Sequence, residues 1–83
     1  MKEFIIEKFN SDNSLVAVLE HDIDTLYLYV CNFINGAINI IEPINIKFNQ
    51  SDIIESDYEL LWSDNKNIKL YHKGEIILDH NLK

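Results

Sequence analysis

Leu26-Tyr27-Leu28-Tyr29-Val30-Cys31-Asn32-Phe33-Ile34-Asn35-Gly36-Ala37-Ile38-Asn39-Ile40 reads as a β-hairpin, and the rest of the chain follows the same pattern. Asn35-Gly36 is the strongest short hairpin signal in the sequence. A type I′ turn needs φ > 0 at both central residues, which Asn and Gly tolerate. Before the turn, Leu26, Leu28 and Val30 alternate with Tyr27, Tyr29 and Cys31, so the strand is apolar on both faces. Leu15 to Glu20 is apolar in the same way. Such strands need cover on both sides, from a second sheet, a helix or another copy of the chain. After the turn, Ile38, Ile40, Ile44, Ile46 and Phe48 fall on one face of an alternating segment, with Asn39, Asn45 and Lys47 on the other. Pro43 cannot donate to a ladder, which puts this strand at an edge or bends it.

Working outward, the same period of two recurs between turn signals. His21-Asp22-Ile23-Asp24, Asp64-Asn65-Lys66-Asn67 and Lys73-Gly74 each mark a reversal. The predicted order is strands at 3–9, 14–21, 25–34, 37–48, 58–63, 67–73 and 75–80. Asn49 to Asp57 breaks the alternation, and Asp52 with Glu55 three residues on has the spacing of a capping box, so one short helical turn is expected over 50–56. The fold class is mainly β: an antiparallel meander of about seven short strands forming a small sandwich or a half-barrel. Eighty-three residues, 47% of them hydrophobic, make a single domain, 1–83, with enough apolar material for one core.

Two stretches resemble a bacterial family known as domain of unknown function 2251. The first is Val16-Ala17-Val18-Leu19-Glu20-His21-Asp22-Ile23-Asp24-Thr25-Leu26-Tyr27-Leu28-Tyr29, an apolar strand, an acidic turn, Thr and then Tyr-x-Tyr. The second is Trp62-Ser63-Asp64-Asn65, with Leu70, Lys73-Gly74 and Ile77-Leu78-Asp79, which is similar to that family's Trp-Ser-Asp hairpin and closing strand. Ile23 and Lys66 stand where the family has turn glycines, and the second hairpin is one residue shorter. The resemblance covers about half of the chain and implies a compact β-rich fold. It brings no activity, cofactor or site residue with it.

Charge is distributed unevenly. Between Phe9 and Asn65 the chain carries ten carboxylates and one cation, Lys47; this stretch is net −9, against 0 for residues 1–8 and +2 for residues 66–83. Direct nucleic-acid binding and anionic membranes are disfavoured by that field. Apolar runs fall well short of the roughly 18 residues of a membrane helix, and the N-terminus lacks the apolar stretch of a signal peptide, so a cytoplasmic setting is expected. Cys31 is the single cysteine, which excludes an intrachain disulfide, and its sequence neighbours offer no cation to activate it. It reads as a buried structural thiol.

Enzymatic signatures are absent from the sequence. Gly36 and Gly74 are turn residues rather than parts of a phosphate loop. Asp79 and His80 are adjacent in a strand and should point to opposite faces. With Lys73-Gly74 as a two-residue turn, His72 pairs with Glu75 and His80 lies opposite Asn67. His21, His72 and His80 therefore read as ordinary surface histidines, His21 in a solvated acidic turn. No metal or other cofactor is expected. Trp62 shares a strand face with Tyr58 and Leu60, which reads as core packing.

The acids are the one functional lead. Glu20, Asp22 and Asp24 are spaced by two, and Asp52, Glu55, Asp57 and Glu59 form a second group. Carboxylates without cations attract a basic surface and imitate a phosphate backbone. The same residues also serve simply as a solubilising surface for a small β protein. The expected function is that of a small non-enzymatic inhibitor, such as a toxin-immunity protein or a phage anti-defence antagonist. Glu20, Asp22, Asp24, Asp52, Glu55, Asp57 and Glu59 would meet a basic protein partner, with Tyr27 and Tyr29 as anchors. The alternatives are a structural module that forms a homodimer through its doubly apolar strands, and a small-ligand domain with a pocket of converging polar groups.

Overall fold

A computed structural model describes residues 2–46 and 52–83. Seven strands run in order: β1 (Glu3–Phe9), β2 (Leu15–His21), β3 (Leu26–Ile34), β4 (Ala37–Ile44), β5 (Tyr58–Asp64), β6 (Asn67–His72) and β7 (Glu75–Asn81), with a 3-10 turn at Glu55–Asp57. They form an antiparallel four-stranded sheet, β1-β2-β3-β4, and a three-stranded sheet, β5-β6-β7. The two sheets make a sandwich with no closed barrel. Asn35 and Gly36 have φ of 53° and 78°, and Lys73 and Gly74 of 50° and 83°, the left-handed pairs that two-residue hairpin turns require. Asn65 and Lys66 do not share that conformation; a β-bulge between Trp62 and Asp64 accommodates their turn instead.

The core lies between the sheets. Ala17, Leu19, Leu26, Leu28, Val30 and Ile44 from the larger sheet meet Tyr58, Leu60, Ile68 and Leu70 from the smaller one. Trp62 packs against this core half-buried, and its Nε1–H donates to the Lys8 carbonyl at 2.9 Å, which fastens β5 to the edge of β1. Among the described residues, no helix is long and apolar enough to cross a membrane.

Two bulges correct the expected registers. One between Val30 and Cys31 on β3 makes Ile41 an extra residue on β4, so Glu42 pairs with core-facing Val30 while Ile40 pairs with Cys31. Ile38 and Ile40 thus face outward and Ile44 inward, rather than all sharing one face. The other, opposite Leu70 and Tyr71, makes Ile77 the extra residue, so His80 lies opposite Ile68 and not Asn67. The strand expected to 48 ends at Ile44; positions 47–48 and 50–51 lie outside the described residues. The helical turn begins after Ile54 with no side-chain cap, so the Asp52 capping box does not form.

Glu42 and His80 consequently face each other across the side of the sandwich where β4 and β7 come together. His80 is therefore not a surface histidine: its Nε2–H donates to Glu42 Oε2, and the Lys83 backbone N–H donates to Glu42 Oε1 at 3.1 Å. The His80 bond, more than the Lys83 bond, holds the Glu42 carboxyl below its ordinary pKa. A carboxylate with a depressed folded-state pKa stabilises fully above its unfolded value and loses that contribution as pH falls through the folded one. Glu42→Gln should cost about 1–3 kcal/mol at neutral pH. In urea melts the gap to the parent protein should close as pH drops below the ordinary glutamate value near 4.5.

Candidate functional site

The turn after β2 contains no glycine, and side chains close it. Asp22 Oδ1 accepts from the Thr25 backbone N–H at 3.2 Å, and Thr25 Oγ1 donates to Asp24 Oδ1 at 3.0 Å. Tyr27, pointing away from the core, donates its hydroxyl to Asp22 Oδ2 at 2.6 Å. That bond is the main cause of a lowered Asp22 pKa and a raised Tyr27 pKa.

His21 ends β2 on the core side and is not the solvated residue the sequence suggested; its side chain is 12% exposed. Nδ1 lies 2.8 Å from the Asp22 carbonyl, and Nε2 lies 3.0 Å from Glu55 Oε2 and 3.7 Å from Glu3 Oε2. Glu55 comes from the 3-10 turn, and Glu3 is the β1 residue in register with His21. The Glu55 hydrogen bond is the first cause of a raised His21 pKa, and burial opposes it. This contact, between residues 34 apart in sequence, brings Glu55 against the Asp22–Asp24 turn and makes an acidic end of the sandwich.

The expected site residues do not form a single patch. Asp22, Asp24 and Glu55 share the acidic end, and Asp52 is exposed just before the 3-10 turn. Asp57 lies 4.0 Å from His72. Glu20, Tyr27 and Tyr29 lie on the outer face of the four-stranded sheet, where with Lys2, Ile40 and Pro43 they line a groove of about 630 Å³. Glu59 points the opposite way, out of the three-stranded sheet, because it alternates with core-facing Tyr58 and Leu60. Lys2, remote in sequence from the acidic stretch, places its Nζ 4.3 Å from the centroid of the Tyr27 ring and offsets part of the charge.

The outer face around this groove is apolar. Phe4, Phe9, Phe33, Ile38 and Ile40 are 53%, 45%, 43%, 66% and 63% exposed. Phe9 and Phe33 stack at 6.0 Å across β2. Val16 and Cys31 sit on this face yet are buried, and burial followed by the Glu20 charge raises the Cys31 thiol pKa, which suits a structural thiol. Burial, then Glu20, pushes the Tyr29 phenol up to about 12.

A larger groove of about 870 Å³ runs past Asp12, Ser14, Glu42, Lys66 and His80. Both Glu42 oxygens there already accept hydrogen bonds, so Glu42 acts as a strut between sheets. The residues that the sequence reading missed, Glu3, Lys2, Glu42 and His80, depend on registers that no local motif encodes. No family model, curated protein or solved structure matches this chain.

Removing the Glu20 charge should lower the Tyr29 pKa without returning it to 10, because burial is the larger cause. A tyrosine Cζ titration by NMR on Glu20→Gln checks this; an unchanged Tyr29 value would show that the two groups do not interact.

Proposed function

We propose that this protein is a small non-enzymatic binding protein of the inhibitor type, acting in the cytoplasm by covering a basic surface on another protein. The observation that supports this most is the His21–Glu55 contact. It brings the 3-10 turn that carries Glu55 against the turn that carries Asp22 and Asp24, while Glu20 lies in the adjoining groove edged by Tyr27 and Tyr29. Carboxylates on a rim steer a basic partner, and half-buried aromatic side chains supply anchoring area. The target would be one whose Lys/Arg surface ordinarily meets phosphate, such as a toxic nuclease or a nucleic-acid-binding defence complex. Glu59, on the far side of the fold, lies outside this surface.

Association is expected to be fast and to weaken with salt. Reversing Glu20, Asp22 and Asp24 to Lys should reduce capture of the partner from host lysate about tenfold or more at low salt. Capture that ignores both the reversal and the salt concentration would defeat the proposal.

A second reading is favoured by the exposed apolar face of the four-stranded sheet, whose outward positions on β1–β4 carry only Glu7 and Glu20 as charges. Two copies that packed these faces together would cover Phe9, Phe33, Ile38 and Ile40. Sedimentation velocity over a range of concentrations separates the readings. A dimer that Ile40→Lys dissociates supports the second; a monomer throughout removes it.

A further inference from the structure

We propose that Glu3, His21 and Glu55 form a binding site for a divalent transition metal, with zinc the best-suited ion. One ligand atom from each residue lies within 4.8 Å of the others. His21 Nε2 stands 3.0 Å from Glu55 Oε2 and 3.7 Å from Glu3 Oε2. Tetrahedral ligands about 2.0–2.1 Å from zinc stand roughly 3.3 Å from one another, so each carboxylate already lies within a few tenths of an ångström of that spacing from Nε2, and the two carboxylates approach each other within 4.8 Å.

The imidazole is already oriented. Its Nδ1–H is directed at the Asp22 carbonyl at 2.8 Å, the outer-shell bond that metal-ligating histidines commonly make, and this leaves Nε2 turned toward both carboxylates. Without metal, both ring nitrogens face acceptors only, which the imidazolium form satisfies. A metal ion takes the place of the Nε2 proton, which leaves to solvent. Two carboxylates then balance a dication, where before they outnumbered a single positive charge. A cavity of about 200 Å³ bounded by Glu3, His21, Asp22, Ile23 and Ile53 adjoins two of the ligands, Glu3 and His21, and has room for a water at the fourth position. One imidazole with two carboxylates suits zinc and its neighbours in the transition series better than magnesium or calcium, which prefer oxygen alone.

The site ties together three separate segments: the start of β1, the end of β2 and the 3-10 turn before β5. Metal binding should therefore raise the thermal midpoint as well as register in calorimetry. The test uses the full chain without an affinity tag and zinc chloride alone, so its result is independent of any protein partner. One zinc per chain is expected, together with a cobalt(II) absorption spectrum of four-coordinate intensity and a zinc-induced shift of the His21 Nε2 resonance. Glu55→Gln and Glu3→Gln, both at exposed positions, should each weaken zinc binding about tenfold or more. His21→Ala should abolish it. Zinc binding unchanged in both Gln variants, a zinc-induced shift confined to His72 or His80, or magnesium binding as tightly as zinc would each overturn the site.

Discussion

Two extra residues, Ile41 on β4 and Ile77 on β7, determine which side chains these two strands turn toward the opposite sheet. Side chains alternate along a strand, so a one-residue insertion exchanges the faces of everything beyond it. Counted from the Asn35-Gly36 turn without a bulge, Glu42 would pair with Tyr29 on the outer face. With Ile41 looped out it pairs with Val30 and faces the core. Counted from Lys73-Gly74, His80 would pair with Asn67 and face solvent. With Ile77 looped out it pairs with Ile68 and faces Glu42. The same shift moves Leu78 opposite Leu70, where it packs against the core. A charged contact and part of the apolar packing thus share one geometric cause.

The sandwich is fastened differently at its two sides. At the β1–β5 side the Trp62 indole reaches the Lys8 carbonyl, while neighbouring turns are linked by Ser11 Oγ donating to Asn65 Oδ1 at 2.7 Å. At the β4–β7 side the Glu42–His80 pair does the work, and His21–Glu55 connects β2 to the 3-10 turn that leads into the second sheet. Asn10 and Asn67, the buried polar residues among those described, take up hydrogen bonds in the same economical way, whereas Asn32 Oδ1 and the Tyr58 hydroxyl are buried without a partner. Asn67 donates to Asp79 and Asn81 and accepts from Lys69 Nζ, which holds the β6–β7 hairpin from its outer side. In a domain this small, where the apolar core is limited, such contacts between sheets carry a large share of the specificity.

The acidic end and the apolar outer face are separate surfaces with different physics. At the acidic end, charges act at a distance and respond to salt. On the outer face, large side chains remain exposed and act only by contact. Tyr27 stands where they meet, its ring under the Lys2 ammonium and its hydroxyl on Asp22. A partner that engaged both surfaces would combine steering with a packed anchor.

Local sequence determined the strands. Period-two alternation fixed seven segments within a few residues of their observed ends, because one buried face imposes that pattern wherever a strand forms. Asn35-Gly36 and Lys73-Gly74 fixed two hairpins through their tolerance of positive φ, and the doubly apolar β2 and β3 announced a sheet with an outer face in need of cover. Tertiary structure decided the rest. Whether a bulge interrupts a ladder depends on how a strand fits its neighbour and the opposing sheet, not on the residue that loops out. Glu3 and Glu55 reach His21 only through a strand register and a chain return over 34 positions, distances across which a one-dimensional pattern carries no geometric information.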